Sequence, residues 1–238
     1  MPTVKVNDIN MYYEVSGEGE PLVLIAGLGT DLTVYERVIG CLSKKFRVLA
    51  FDNRGVGRTD KPDIPYSIEM MADDTAALMN AAGFRKAHVL GISMGGRVAM
   101  ALALQHPEMV RSLVLASTFA RKRVTTVRSY LLFNVIRRLS FRRASRKYPQ
   151  PEYAFQRQFQ ASGSFDGIDK LDRISVPALI LQGTSDKIAP LSQAEEMHER
   201  IKGSKMITFP GGHIFFMMRL EQFCSAITDF LLGPGSSS

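Results

Sequence analysis

The sequence predicts an α/β domain: a mostly parallel sheet covered by helices on both faces, with a short helical cap. Three observations predict it. Short apolar runs recur between segments of helical period, as strands and helices do when they alternate. Most of those runs are unbroken rather than alternating, the pattern of strands buried on both faces. The 238 residues, 45% of them hydrophobic, suffice for one large core with an insertion.

Thr3 to Glu14 alternates loosely about Asn7-Asp8 and reads as an antiparallel hairpin. Pro21 to Ala26 is a buried strand, followed by the glycine-rich turn Gly27-Leu28-Gly29-Thr30-Asp31-Leu32. Val34 to Lys44 reads as a helix, Phe46 to Phe51 as the next strand, and Asp52 to Asp60 as a loop rich in glycine and charge. Ser67 is placed to cap a helix, because Ile68, Met71, Thr75, Leu78 and Ala82 then recur on one face until Gly83. Ala87 to Ile92 suits a strand and Val98 to Leu104 a buried helix. Further on, Val110 to Ala116, Pro177 to Gln182 and Lys205 to Phe209 read as strands. Gln193 to Ile201 and Leu220 to Leu232 read as helices. Residues 1–118 and 173–232 are therefore assigned to the core and 119–172 to a cap inserted in it. The terminal Gly233 to Ser238 reads as an appended cloning tail.

Charge is concentrated in one place. Between Phe119 and Gln150 there are ten basic residues and no acid: Arg121, Lys122, Arg123, Arg128, Arg137, Arg138, Arg142, Arg143, Arg146 and Lys147. Ten bases against a net charge of +7 leave the rest of the chain at −3. Val124, Val127, Leu131, Val135 and Leu139 recur among them at helical spacing, so amphipathic cap helices with solvated charges are expected. Attraction of anionic substrates, or contact with a membrane surface, is the sharper alternative. No nucleic-acid-binding module is recognisable, and no nucleic-acid partner is expected. No apolar run is long enough to span a membrane, and Met1 to Asn10 lacks the pattern of a secretory signal, so a cytoplasmic location is expected. Cys41 and Cys224 do not form a disulfide framework; each falls in an expected helix as a buried thiol.

The chemistry centres on Gly91-Ile92-Ser93-Met94-Gly95-Gly96, a G-x-S-x-G run between a strand and a helix. Glycines two residues either side of Ser93 let neighbouring backbone approach, and a helix N-terminus behind the serine offers free N–H groups. A serine hydroxyl needs a base, and the base needs an orienting partner. In such sheets functional groups gather at the carboxyl ends of strands. Asp186 lies in the loop Gly183-Thr184-Ser185-Asp186 after one strand. His213 follows Gly211-Gly212 after the next, whereas His88 reads as a strand residue and His106 and His198 as helix-surface residues. The order Ser93, Asp186, His213 is the one expected of an elbow serine. The turn Gly27-Leu28-Gly29 places the Leu28 N–H to join that of Met94 as an oxyanion hole. No metal-ligand spacing and no phosphate loop occur, so neither a metal nor another cofactor is expected.

These motifs, with Asp52-Asn53-Arg54-Gly55-Val56-Gly57 and Gly212-His213, resemble the α/β-hydrolase superfamily over nearly all of residues 3 to 232. The resemblance implies Ser93 as nucleophile, His213 as base, Asp186 as acid, and the N–H groups of Leu28 and Met94 as oxyanion donors. It implies a carboxylesterase acting on a small-molecule ester. Gly27 to Leu32 is similar to the 3-oxoadipate enol-lactonase branch, which makes a lactonase the alternative. A non-catalytic binding protein on the same fold is the alternative from another class. Ala26-Gly27 departs from the His-Gly that often precedes the oxyanion turn in this family. A serine rather than a carboxylate at position 93 sets the chain apart from the family's dehalogenases and epoxide hydrolases. The chain has no tryptophan, on which the family's dehalogenases and haloperoxidases typically rely in the pocket.

Overall fold

The computed structural model describes residues 3–122, 127, 131, 135 and 147–233. Eight strands form one sheet: β1 (Thr3–Val6), β2 (Ile9–Ser16), β3 (Glu20–Ile25), β4 (Phe46–Phe51), β5 (Ala87–Ile92), β6 (Val110–Ala116), β7 (Ala178–Gly183) and β8 (Lys205–Phe209). Their order is β1-β2-β4-β3-β5-β6-β7-β8. The β1–β2 hairpin and the β2–β4 pair are antiparallel, and every neighbour from β4 onward is parallel. This is the α/β fold that the apolar runs predict.

Alternate residues of the parallel strands feed two separate cores, because successive side chains leave opposite faces of a sheet. Val23, Ile25, Val89, Leu113, Leu115 and Ile180 pack under α2 (Ile68–Ala81), α3 (Met94–Gln105) and α5 (Leu191–Arg200). Leu22, Leu24, Leu90, Val114, Leu179 and Leu181 pack under α1 (Glu36–Leu42), α6 (Phe215–Met218) and α7 (Leu220–Leu232). The two cores lie on opposite faces of the sheet.

Local signals explain most boundaries. Ser67 caps α2, its Oγ accepting from the Met70 N–H. The helix expected from Val34 to Lys44 begins instead as a 3-10 turn, Leu32–Tyr35, before α1. Asp31 imposes that turn by accepting from the Thr33 N–H at 2.9 Å. One helix, α4 (Glu152–Ser164), lies within the segment 119–172 expected to be helical, where the sequence reading set no bounds for it. Its buried side includes Gln158, which breaks the apolar period.

Seven of the ten clustered bases, Arg123, Arg128, Arg137, Arg138, Arg142, Arg143 and Arg146, lie outside the described residues, as do Val124 and Leu139. Val127, Leu131 and Val135 are helical, as their spacing predicts, but 77%, 56% and 52% exposed. These three residues are therefore not the packed side of a cap helix. Cys224 is buried and free, while the free Cys41 is only half-buried, against the expectation of two buried thiols. No helix among the described residues is long and apolar enough to cross a membrane.

His88 on β5 is buried, with Nδ1 2.7 Å from Ser112 Oγ on β6. Burial, aided by the nearby Arg111 charge, pushes its pKa down from 6.5 to about 4. Between those values the unfolded chain binds the proton that the folded chain refuses, so stability falls as pH drops through that window. His88→Gln removes the titration, and its Tm is expected to fall less than that of wild type between pH 7 and pH 5. Equal falls in thermal melts would show that His88 does not set the acid limb.

Candidate active site

Six parallel strands deliver the site from their carboxyl ends. Ser93 follows β5 and opens α3 with φ 58° and ψ −118°. That conformation is costly for a residue with a side chain and persists only where its surroundings hold it. They do: the Ser93 N–H donates to Ala116 O at 2.9 Å, and Ser93 O accepts from Thr118 Oγ1 at 2.7 Å and the Gly96 N–H at 3.0 Å. The flanking glycines are required by close backbone. A Cβ on Gly91 would sit 2.4 Å from Gly95 O, and one on Gly95 would sit 2.0 Å from Ile25 O.

His213 lies past β8, its carbonyl accepting from Ser117 Oγ at 2.8 Å. Its Nε2 is 2.9 Å from Ser93 Oγ and its Nδ1 is 2.8 Å from Asp186 Oδ2. Asp186, past β7, also accepts from the Ile188 and Ala189 N–H groups at 2.8 and 2.9 Å, and from Gln182 Nε2 at 3.2 Å. Burial alone would push the Asp186 carboxyl up. The contact with His213 and the two backbone donors outweigh burial and hold it below the ordinary carboxylate value. An ionised Asp186 only accepts, so the neutral imidazole carries its proton on Nδ1 and presents a lone pair on Nε2 to the Ser93 hydroxyl. The structure thus brings together all three residues singled out in the sequence. The other histidines are elsewhere: His106 Nε2 meets Asp73 Oδ1 at 2.8 Å, and His198 Nδ1 meets Ser204 Oγ at 2.8 Å.

The turn after β3 lies against Ser93, since a Cβ on Gly27 would be 3.4 Å from Ser93 Cβ. The N–H groups on either side of Leu28 are occupied: that of Gly27 donates to Tyr35 Oη at 2.9 Å and that of Gly29 to Gln158 Oε1 at 3.0 Å. The Leu28 N–H has no partner among the described residues. Met94 is the first residue of α3, where helix N–H groups have no intrahelical acceptor. The turn that carries Leu28 and the first residue of α3, Met94, thus both adjoin Ser93.

Sequence reasoning missed the residues that hold this turn. Thr30 Oγ1 donates to Gly27 O at 2.9 Å, and Tyr35 Oη lies 3.2 Å from Thr30 Oγ1. With Gly27 N–H donating to Tyr35, the three groups close a ring of hydrogen bonds around the Gly27 peptide. Asn53 Nδ2, past β4, donates to Ala26 O at 3.0 Å, and Asp52 Oδ1 accepts from the Leu32 N–H at 2.8 Å. The Asp52-Asn53 pair was visible as a motif, whereas Tyr35 and Thr30 carry no signal beyond proximity in the fold. Among the described residues no cluster of His, Cys, Asp and Glu is arranged to hold a metal ion.

A family model for the alpha/beta hydrolase fold matches residues 20–158, and one for TAP-like protein matches residues 156–235. A putative carbamate hydrolase RutD from Caulobacter sp. (strain K31) is 30% identical, covering 95% of this chain and 97% of its own. The crystal structure of the enol-lactonase from Burkholderia xenovorans LB400 is similar at TM-score 0.86 and 28% identity, over 97% of this chain and 100% of that one. A thermophilic esterase from Thermogutta terrifontis is similar at TM-score 0.82 and 27% identity, over 94% and 93% of the two chains.

Proposed function

We propose that this chain, which belongs to the alpha/beta hydrolase family, is a serine hydrolase that cleaves carboxylic esters through an acyl-enzyme. The observation that carries this reading is the unbroken chain Ser93 Oγ, His213, Asp186, with links of 2.9 and 2.8 Å. In this reading His213 Nε2 takes the hydroxyl proton as Ser93 Oγ attacks the carbonyl carbon. The carbonyl oxygen becomes negative and is received by the N–H groups of Leu28 and Met94. His213 then gives the proton to the leaving alkoxide, the C–O bond breaks, and Ser93 is left acylated. A water, deprotonated by the same imidazole, repeats the attack and releases the acid. Asp186 stabilises the imidazolium at each step.

The enol-lactonase likeness and the run Gly27 to Leu32 favour a cyclic ester as the second reading. The mechanism is unchanged, with the leaving oxygen tethered to the acyl group. Assays on p-nitrophenyl and alkyl esters, lactones and carbamates decide between them. Ester turnover with a burst of p-nitrophenol is the expected result. Higher kcat/KM on lactones would move the assignment to the second reading, and turnover confined to carbamates would overturn both. No turnover together with no labelling of Ser93 by a fluorophosphonate would leave a binding protein.

A further inference from the structure

Gln158 lies on α4, in the inserted segment, yet its side chain is wholly buried against the catalytic core. Every group of its amide is engaged. Oε1 accepts from the Gly29 N–H at 3.0 Å and from Gln150 Nε2 at 3.1 Å, and Nε2 donates to Arg54 O at 2.7 Å. It therefore bridges the turn after β3 to the loop after β4.

The geometry matters because of which peptide Gln158 holds. Two peptide planes flank Leu28. The first, Gly27–Leu28, carries the Leu28 N–H, and its carbonyl is fixed by Thr30. The second, Leu28–Gly29, ends on a glycine with φ 67°, a residue with little intrinsic barrier to rotation. The Gly29 N–H of that second plane is the group Gln158 holds. Without it the second plane can turn, and Thr30, which pins the first plane and follows Gly29 directly in the chain, is displaced with it, so the Leu28 N–H loses its fixed position.

We propose that Gln158 is a positioning residue for the oxyanion turn, its buried amide fixing the Leu28–Gly29 peptide so that the Leu28 N–H stays beside Ser93. The proposal rests on the serine-hydrolase reading. It also makes α4 part of the catalytic arrangement: a movement of this helix reaches the hole through a single amide.

Steady-state kinetics on a p-nitrophenyl ester, inhibition by a trifluoromethyl ketone, and thermal melts of wild type, Gln158→Met, Gln158→Glu and Ser93→Ala test it. Methionine fills the space but neither accepts nor donates strongly, so Gln158→Met should lose about 10- to 100-fold in kcat, the scale of a misplaced oxyanion donor. Its KM should stay within about threefold, because the hole acts on the transition state and not on bound ester. Inhibition by the ketone, whose adduct carries the oxyanion, should weaken by the same factor as kcat. Gln158→Glu keeps an acceptor for Gly29 but sets a carboxylate against the Arg54 carbonyl, so it should melt below Gln158→Met while recovering kcat. A kcat for Gln158→Met within about threefold of wild type, or a kcat that follows Tm through both variants, would overturn the positioning role. Ser93→Ala separates the two levels. An active Ser93→Ala removes the serine-hydrolase reading itself, whereas a silent one beside a normal Gln158→Met removes only the role of Gln158.

Discussion

Ser93→Ala is expected to lower kcat by about a millionfold, with His213→Ala as severe and the double variant no worse, because nucleophile and base act as one unit. Alanine suffers no more than serine from the φ of 58°, so the elbow and its contacts with Ala116 and Thr118 persist. Tm should stay near that of wild type. Asp186→Asn tests the third member differently. The Ile188 and Ala189 N–H groups claim one oxygen of the side chain, which forces the amide NH2 of an asparagine toward His213. That donor would meet Nδ1, drive the ring proton to Nε2 and leave nothing to accept from Ser93, a loss of about ten thousandfold in kcat. Gln182 Nε2 would face the same NH2, so Asp186→Asn should also lose some stability. Steady-state rates per mole of folded protein, with folding followed by CD, check all of these. A Ser93→Ala variant within tenfold of wild type would end the assignment.

Much of this site could be read before any fold was known, because its parts sit where chain chemistry changes abruptly. Each nucleophile, base or acid candidate follows a short apolar strand, and glycines at 91, 95 and 211 mark the places where backbone must crowd or turn. The parallel strands were legible for a related reason: fully buried strands carry unbroken apolar runs. What stayed hidden acts only in three dimensions. Tyr35 reaches Gly27 from a 3-10 turn that periodicity reads as helix, and Thr30 reaches it from the loop before that turn. Gln158 lies 129 residues from the glycine it holds, on a helix whose buried stripe is interrupted by that same glutamine. The failure at Val127, Leu131 and Val135 has the opposite cause. Helical spacing reports that apolar residues share a face but not that anything covers it.

The largest loss of stability is expected from Arg54→Leu. Arg54 is 1% exposed and forms a fork on Asp74, Nε to Oδ2 at 2.7 Å and Nη2 to Oδ1 at 2.9 Å, with Asp8 on its outer side. Burial alone would pull the guanidinium down, and hydrogen bonds to Asp8 and Asp74 outweigh that and raise it. Leucine leaves Asp74, 2% exposed, with Asn7 Nδ2 at 2.9 Å in place of a cation. Stranding a buried carboxylate costs about 3–5 kcal/mol, far more than the exposed Asp8 contact contributes. The double variant Arg54→Leu/Asp74→Asn removes the stranded charge and should recover most of that loss, because the penalty lies in the unpaired ion and not in the absence of the pair. Arg54→Lys should recover little, since an ammonium cannot span both oxygens of Asp74 and reach Asp8 as the planar fork does. Urea unfolding followed by CD measures each value, and a cost under about 1 kcal/mol for Arg54→Leu would mean the pair holds nothing. The loop is also the seat of the oxyanion turn: Asn53 grips Ala26 O, and the Arg54 carbonyl takes the Gln158 amide. Loosening it should therefore lower kcat at temperatures where the sheet is still fully folded.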